Sequence, residues 1–229
     1  MKQTLSCNNI SVYDDVLNPE QLKNVFEWYN RLEFIHKFAH EMWNPVWSTT
    51  DGNVLSGRTM TLKPDLTDPL EFPNDAIIPL LLNISTAIKT CGIFSKEDLD
   101  QVESVAFTPF IYPPGCGLSW HTDNDYVGAF SFYIHKHWSP DWSGEFLSIE
   151  SDDHVERQHL NGKWLVFDPS ELHQTIMERG HGRFVFPKPN RLVINKAGKD
   201  GTLHKVNKST PQAENRLSLQ GFLRRKKNG

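Results

Sequence analysis

Leu118-Ser119-Trp120-His121-Thr122-Asp123-Asn124 is the stretch on which the reading of this chain turns. Successive side chains on a strand point to opposite faces, so His121 and Asp123 share a side while Thr122 faces away. A His and an Asp aimed from one face supply two of the three protein ligands of a 2-His-1-carboxylate site, which leaves coordination positions open on the ion. Alone, a His-x-Asp triplet is a short motif, equally compatible with a solvated loop pair.

The flanks favour the metal. Upstream, Val105-Ala106-Phe107-Thr108-Pro109-Phe110-Ile111-Tyr112 is β-branched and aromatic, and the turn-rich Pro113-Pro114-Gly115-Cys116-Gly117 separates it from Leu118. Downstream, Ala129-Phe130-Ser131-Phe132-Tyr133-Ile134 reads as a second strand. Gly144-Glu145-Phe146-Leu147-Ser148-Ile149 reads as a third, beyond the loop Ser139-Pro140-Asp141-Trp142-Ser143. The pair thus lies within a sheet that can hold its geometry.

A third ligand must come from elsewhere in the chain. Asn190-Arg191-Leu192-Val193-Ile194-Asn195 reads as a strand, Lys196 to Gly201 as a turn, and Leu203-His204-Lys205-Val206 as the opening of another strand. Arg216-Leu217-Ser218-Leu219-Gln220-Gly221-Phe222 then forms a strand with Arg216 and Ser218 on a common face. A guanidinium fork beside a hydroxyl suits a buried carboxylate, because two parallel charge-assisted bonds fix a planar anion in one orientation. The competing ligand is His173, in the run Trp164 to Gln174, with Arg183 further along. His204 is preferred because only its downstream Arg has the Arg-x-Ser pairing and a strand able to close a barrel. His173 then belongs to an insertion.

Taken in order, Tyr112-Pro113-Pro114-Gly115, His121-Thr122-Asp123-Asn124, Tyr133 to Trp138 ahead of Gly144-Glu145, Asn190 to Ile194, Leu203 to Val206 and Arg216 to Phe222 are ordered motifs. Together they resemble the prolyl-hydroxylase-like branch of the Fe(II)/2-oxoglutarate-dependent dioxygenases, over about residues 103 to 224. The resemblance implies a mainly β fold with flanking helices, the double-stranded β-helix or jelly roll. Residues 103–229 would form its catalytic core, with an insertion at about 150–188, and residues 1–102 an N-terminal helical support of the same domain. It implies that His121, Asp123 and His204 bind Fe(II) and that Arg216, with Ser218 beside it, pairs with the distal carboxylate of 2-oxoglutarate. Tyr133 would hydrogen-bond that carboxylate, and Tyr112 would line the pocket. Fe(II), 2-oxoglutarate as co-substrate and O2 are the implied cofactors, with ascorbate a candidate reductant. The chain departs from a compact member between Ile149 and Asn190, where the excess residues are a candidate lid.

Several of these residues also have plain structural uses. Tyr133 fits a core aromatic whose hydroxyl reaches water or backbone. The run Arg224-Arg225-Lys226-Lys227 reads as a solvated tail. With a formal net charge of −4, it argues against a nucleic-acid partner. Of the ten His, His135, His137, His154, His159 and His181 read as surface or lid residues.

At 229 residues, 38% hydrophobic and 23% charged, the chain is long enough to bury a substantial single core, and it shows no internal repeat. Met1 to Ser11 has neither a basic start nor an apolar stretch, and no apolar run is long enough to span a bilayer. A cytoplasmic protein with no membrane partner is expected. Cys7, Cys91 and Cys116 have no paired spacing, so reduced thiols are expected rather than a zinc cluster.

Before the barrel, Asn18-Pro19 precedes an amphipathic helix with Leu22, Val25, Phe26 and Tyr29 on one face. A second helix is predicted from about Asp75 to Lys89, with Ile77, Leu80, Leu81, Ile84 and Ile88 buried. Between them, Met42 to Arg58 is aromatic and turn-rich, suited either to an edge strand or to a wall of the substrate pocket, with the structural role preferred because large aromatics are most often core.

The expected activity is hydroxylation of an unactivated C–H bond in an amino acid, an amino-acid-derived natural product or a prolyl residue. The substrate is a small molecule or peptide. Asp123 matters here, since a small residue in its place would open a halide position. Desaturation or cyclisation by a related iron oxygenase, a cupin-like metalloenzyme without 2-oxoglutarate, and a non-catalytic jelly-roll binding module are the alternatives. Arg216 and Ser218 speak against the cupin.

Overall fold

The two longest apolar-alternating stretches become the strands on which the fold is built. A computed structural model describes residues 1–7, 9–37, 51–64, 75–121, 123, 126–149, 159–160, 163–164, 174, 176–178, 181–197, 201 and 203–226. Its first strands are β1 (Lys2–Cys7), β2 (Ile10–Asp14), β3 (Ile35–Lys37), β4 (Val54–Ser56) and β5 (Met60–Leu62). Next come β6 (Val102–Tyr112), β7 (Leu118–His121), β8 (Tyr126–Tyr133) and β9 (Phe146–Ile149). A two-stranded hairpin, β10 (His159–Leu160) with β11 (Lys163–Trp164), precedes β12 (Arg183–Val185), β13 (Leu192–Lys196), β14 (Leu203–Val206) and β15 (Arg216–Arg225).

The larger sheet runs β1-β2-β13-β8-β15-β6-β4-β3, with β5 also on β6, and the smaller runs β12-β9-β14-β7. All pairings are antiparallel. From β6 onward the chain passes back and forth: β6 large, β7 small, β8 large, β9 and β12 small, β13 large, β14 small, β15 large. This alternation is the jelly roll that the sequence led us to expect.

One face of the large sheet carries the main core. Phe107, Phe130, Phe132, Ile194 and Leu219 meet helix α1 (Pro19–Tyr29) and helix α2 (Ile78–Thr90) there. Helix α1 begins where the sequence places it, because Asn18 and Gln21 form a reciprocal capping box and Pro19 occupies the first turn. Ile77, Leu80, Leu81, Ile84 and Ile88 are buried as a single stripe, the predicted face. Each such side chain removed from water contributes about 1.5–3 kcal/mol. The N-terminal residues are more than a helical support, since β1 and β2 extend the large sheet beyond β13 and β3, β4 and β5 add to it beside β6.

Gly221 shows how closely the central strands approach. It faces Phe130 across the β15–β8 pair, and an added Cβ would lie 2.0 Å from the Phe130 ring, which is itself buried. Gly221→Ala should therefore destabilise the protein by about 1–3 kcal/mol through overpacking. A lower urea midpoint with an unchanged slope would show it. An unchanged midpoint would mean that the ring can yield.

Some expectations are corrected. His135, read as a surface or lid residue, is 2% exposed: the chain turns inward after β8, and its Nε2–H donates to the Pro187 carbonyl. Arg224 and Arg225, read as part of a solvated tail, are exposed but continue β15. Val54–Ser56 of the aromatic stretch is not an edge strand, because β4 sits between β6 and β3. The rest of that stretch up to residue 50, and His173, lie outside the described residues. The three cysteines are free. Among the described residues, no helix is long and apolar enough to cross a membrane.

Candidate metal centre and co-substrate pocket

His121 ends β7 and His204 lies in β14, and the two are direct cross-strand partners. Their rings stand 4.2 Å apart between centroids. Directly opposed residues on neighbouring strands project from the same face, so pairing alone converges the imidazoles. Asp123, just past the end of β7, completes the group: its Oδ1 lies 3.7 Å from His121 Nε2 and its Oδ2 lies 3.5 Å from His204 Nε2. One donor atom from each residue falls within 4.8 Å of the others. Adjacent ligands held about 2.1 Å from one ion stand roughly 3.0–3.4 Å apart, close to the 3.5 and 3.7 Å that separate Asp123 from the two imidazoles.

All three side chains are less than 10% exposed. Orientation comes from neighbours. His121 Nδ1–H donates to the Ser119 carbonyl at 2.7 Å, which leaves Nε2 with its lone pair directed at the centre. His204 is stacked on Phe146, at 5.0 Å and 25°. The donor set of two imidazoles and one carboxylate with open positions suits a non-haem Fe(II) ion.

The second group of expected residues gathers on the large sheet. Arg216 pairs with Tyr112 of β6, and Ser218 pairs with Tyr133 of β8. Arg216 is 2% exposed and is among the largest fully buried side chains. Its guanidinium lies 4.3 Å over the Tyr112 ring, and Nη1–H donates to the Gly144 carbonyl at 2.8 Å. Nη2 is buried with no hydrogen-bond partner among the described residues. A buried cation with an unspent donor is costly unless an anion meets it, and a carboxylate is the planar anion that a guanidinium fork fits.

Burial raises the Tyr133 hydroxyl above its ordinary range despite Arg216, and pushes the Tyr112 hydroxyl up to about 12. Both phenols therefore keep their protons at neutral pH and can donate to an anion.

Two contributors were not singled out from sequence. Gln220 follows Arg216 and Ser218 on the same face of β15, and its side-chain amide donates to the Tyr112 hydroxyl at 3.2 Å. Strand alternation could have found it. Gly144 has φ +82°, with an added Cβ meeting Trp138 at 3.0 Å and Arg216 Nη1 at 3.1 Å. Glycine there lets the turn aim its carbonyl at the guanidinium.

Solved structures carry the same architecture. A prolyl-4-hydroxylase of Pseudomonas putida is similar over 96% of this chain and 94% of its own, at 14% identity and a TM-score of 0.56. A Trichoplax adhaerens prolyl hydroxylase, in complex with a hypoxia inducible factor oxygen degradation domain peptide fragment, matches over 95% and 84%, at 12% identity and a TM-score of 0.59. HygX of Streptomyces hygroscopicus, with nickel and 2-oxoglutarate bound, matches over 95% and 83%, at 10% identity and a TM-score of 0.51. This chain shares their fold. No family model and no curated protein matches the chain.

His135, close behind this pocket, gives a pH prediction. Burial pushes its pKa down to about 4 from the ordinary 6.5, with the Arg216 charge adding to the effect. The unfolded chain takes up a proton near pH 6.5 and the folded one does not, so stability should fall as pH drops from about 6.5 towards 4. Between pH 7 and 5 the loss should be about 2 kcal/mol. Urea midpoints at the two pH values should show it in the wild type, with a smaller difference in His135→Gln. An equal difference in both would locate the acid sensitivity elsewhere.

Proposed function

We propose that the protein is an Fe(II)- and 2-oxoglutarate-dependent oxygenase that hydroxylates an unactivated C–H bond of an amino acid, an amino-acid-derived natural product or a prolyl residue. The observation that carries this reading is the buried Arg216, with Nη2 unspent, in the same barrel as the His121, Asp123 and His204 cluster. A metal cluster alone fits several enzymes. A metal cluster with a buried guanidinium fits one that also holds a dicarboxylate.

In this reading His121, Asp123 and His204 hold the ion. Arg216 pairs with the distal carboxylate of 2-oxoglutarate, Ser218 and Tyr133 add neutral hydrogen bonds to it, and Tyr112 supports the guanidinium from below. With Fe(II) and O2 present, such a site couples decarboxylation of 2-oxoglutarate to succinate with insertion of one oxygen atom into the substrate. The chain's own part is to fix the two ligand sets relative to each other and to keep bulk water from them. Low exposure of all the named groups does the latter.

The names of the matching structures support a prolyl or peptide substrate, since one of them holds a peptide fragment. A cytoplasmic location is part of the proposal, in keeping with three free thiols. The test is succinate formation from 2-oxoglutarate with Fe(II) and ascorbate, across a panel of free amino acids and prolyl peptides. The expected result is succinate release stimulated by one substrate class, abolished by chelation, and matched by a product one oxygen atom heavier. Binding of 2-oxoglutarate with no succinate for any substrate would make the protein a jelly-roll binding module.

A further inference from the structure

We propose that Asp51 is a positioning residue of the metal centre: it clamps the start of β7 through Ser119 and so sets the carbonyl that orients His121. The inference rests on His121 being a metal ligand. Asp51 is 2% exposed. Its Oδ1 accepts a hydrogen bond from the Ser119 hydroxyl at 2.7 Å and its Oδ2 accepts one from the Ser119 N–H at 3.1 Å. Its main-chain carbonyl also accepts from the Gly117 N–H at 2.9 Å. Both carboxylate oxygens and the main chain of one residue thus hold Gly117 and Ser119, ahead of the first ligand.

The chain of contacts ends on the imidazole. The Ser119 carbonyl accepts from His121 Nδ1–H at 2.7 Å, and a carbonyl can only accept, so this bond selects the tautomer whose Nε2 is free to ligate. If Ser119 shifts, the ring loses its reference.

The same loop reaches the other half of the site. A Cβ on Gly52 would lie 2.6 Å from Cys116 Sγ, and Cys116 packs with Val54 and Tyr112, the residue under the Arg216 guanidinium. The charge on Asp51 also contributes to raising the Tyr112 hydroxyl. Residues 51–54 therefore tie the strand that carries His121 to the wall of the arginine pocket.

The choice of an acid is informative. A carboxylate accepts from both Ser119 groups at once, an asparagine amide offers an acceptor to only one of them and must donate to the hydroxyl instead, and alanine makes neither bond. Partners that orient a ligating His typically change metal affinity about 10- to 100-fold when removed.

The experiment is Co(II) binding by calorimetry, with the visible Co(II) absorption spectrum and a thermal melt recorded on the same samples. The full chain is compared with Asp51→Ala, Asp51→Asn and Ser119→Ala. Asp51→Ala should weaken Co(II) binding about 10- to 100-fold and alter the spectrum. Ser119→Ala keeps only the bond from the Ser119 N–H and should lie between it and the wild type, while Asp51→Asn, whose amide can accept from that N–H and donate to the Ser119 hydroxyl, should lie nearest the wild type. A folded Asp51→Ala with wild-type affinity and spectrum, and only a lower melting temperature, would overturn the proposal. If Asp51→Ala does not fold, wild-type affinity and spectrum in Ser119→Ala would overturn it equally. A wild type that binds no Co(II) would overturn both this inference and the metal-site reading, whereas normal wild-type binding with unaffected variants defeats this inference alone.

Discussion

Arg216→Ala is expected to raise the 2-oxoglutarate concentration needed for turnover by about a hundredfold or more, with Fe(II) binding retained. The guanidinium is buried, spends Nη1 on the Gly144 carbonyl, and has no hydrogen-bond partner for Nη2 among the described residues. A carboxylate brought into that pocket without its cation keeps the desolvation cost and loses the compensating bonds, a penalty of roughly 3–5 kcal/mol. Arg216→Lys should recover only part of this, since an ammonium is a point charge without the fork. Ser218→Ala removes one neutral bond and should cost about 0.5–1.5 kcal/mol. The measurement is a 2-oxoglutarate titration of each Fe(II)-loaded variant. Unchanged affinity in Arg216→Ala, with a large loss in Arg183→Ala, would place the co-substrate at the edge of the small sheet. Arg191 is a poor alternative, because it is bound to Asp14 at 2.7 and 3.0 Å.

Alanine at His121, Asp123 or His204 should abolish iron-dependent turnover, and Asp123→Gly should do the same, while His173→Ala should leave substantial activity. Each of the three supplies one of the donor atoms gathered within 4.8 Å, and removing one loosens the ion and misplaces its open positions. Metal binding measured beside activity separates loss of the ion from loss of fold. Loss of Fe(II) binding in His173→Ala, with retention in His204→Ala, would exchange the two residues' roles. Wild-type-like hydroxylation by Asp123→Gly would remove Asp123 from the ligand set.

The parts of this architecture that were legible in the sequence are those set by local periodicity. Strand alternation put Arg216 and Ser218 on one face of β15, and the 3.6-residue spacing of Leu80, Leu81, Ile84 and Ile88 gave α2 its buried face, with Ile77 in the turn before it. His121 and Asp123 do converge, but β7 ends at His121, so the alternation expected to relate them does not extend to Asp123. Ordered motifs then chose His204, whose pairing opposite His121 no local pattern states. What stayed hidden depends on contacts distant in the chain. Asp51 meets Ser119 across 68 positions, and β2 joins β13 through pairs such as Val12 with Val193. His135 illustrates the opposite failure: a polar residue between Lys136 and the end of β8 looks exposed, yet the turn after β8 buries it against Pro187. Gly144 was quoted for its place in a motif, while its function depends on a positive φ that sequence alone does not reveal.

The central claim is that one barrel holds a metal ion and a dicarboxylate side by side. Anaerobic calorimetric titration of 2-oxoglutarate into the protein, with and without Fe(II), and into Asp123→Ala and Arg216→Ala, tests it most directly. The account predicts tight binding of 2-oxoglutarate only when Fe(II) is present, lost with the metal in Asp123→Ala and weakened about a hundredfold or more in Arg216→Ala. Binding of 2-oxoglutarate that is indifferent to Fe(II) and to both substitutions would contradict it.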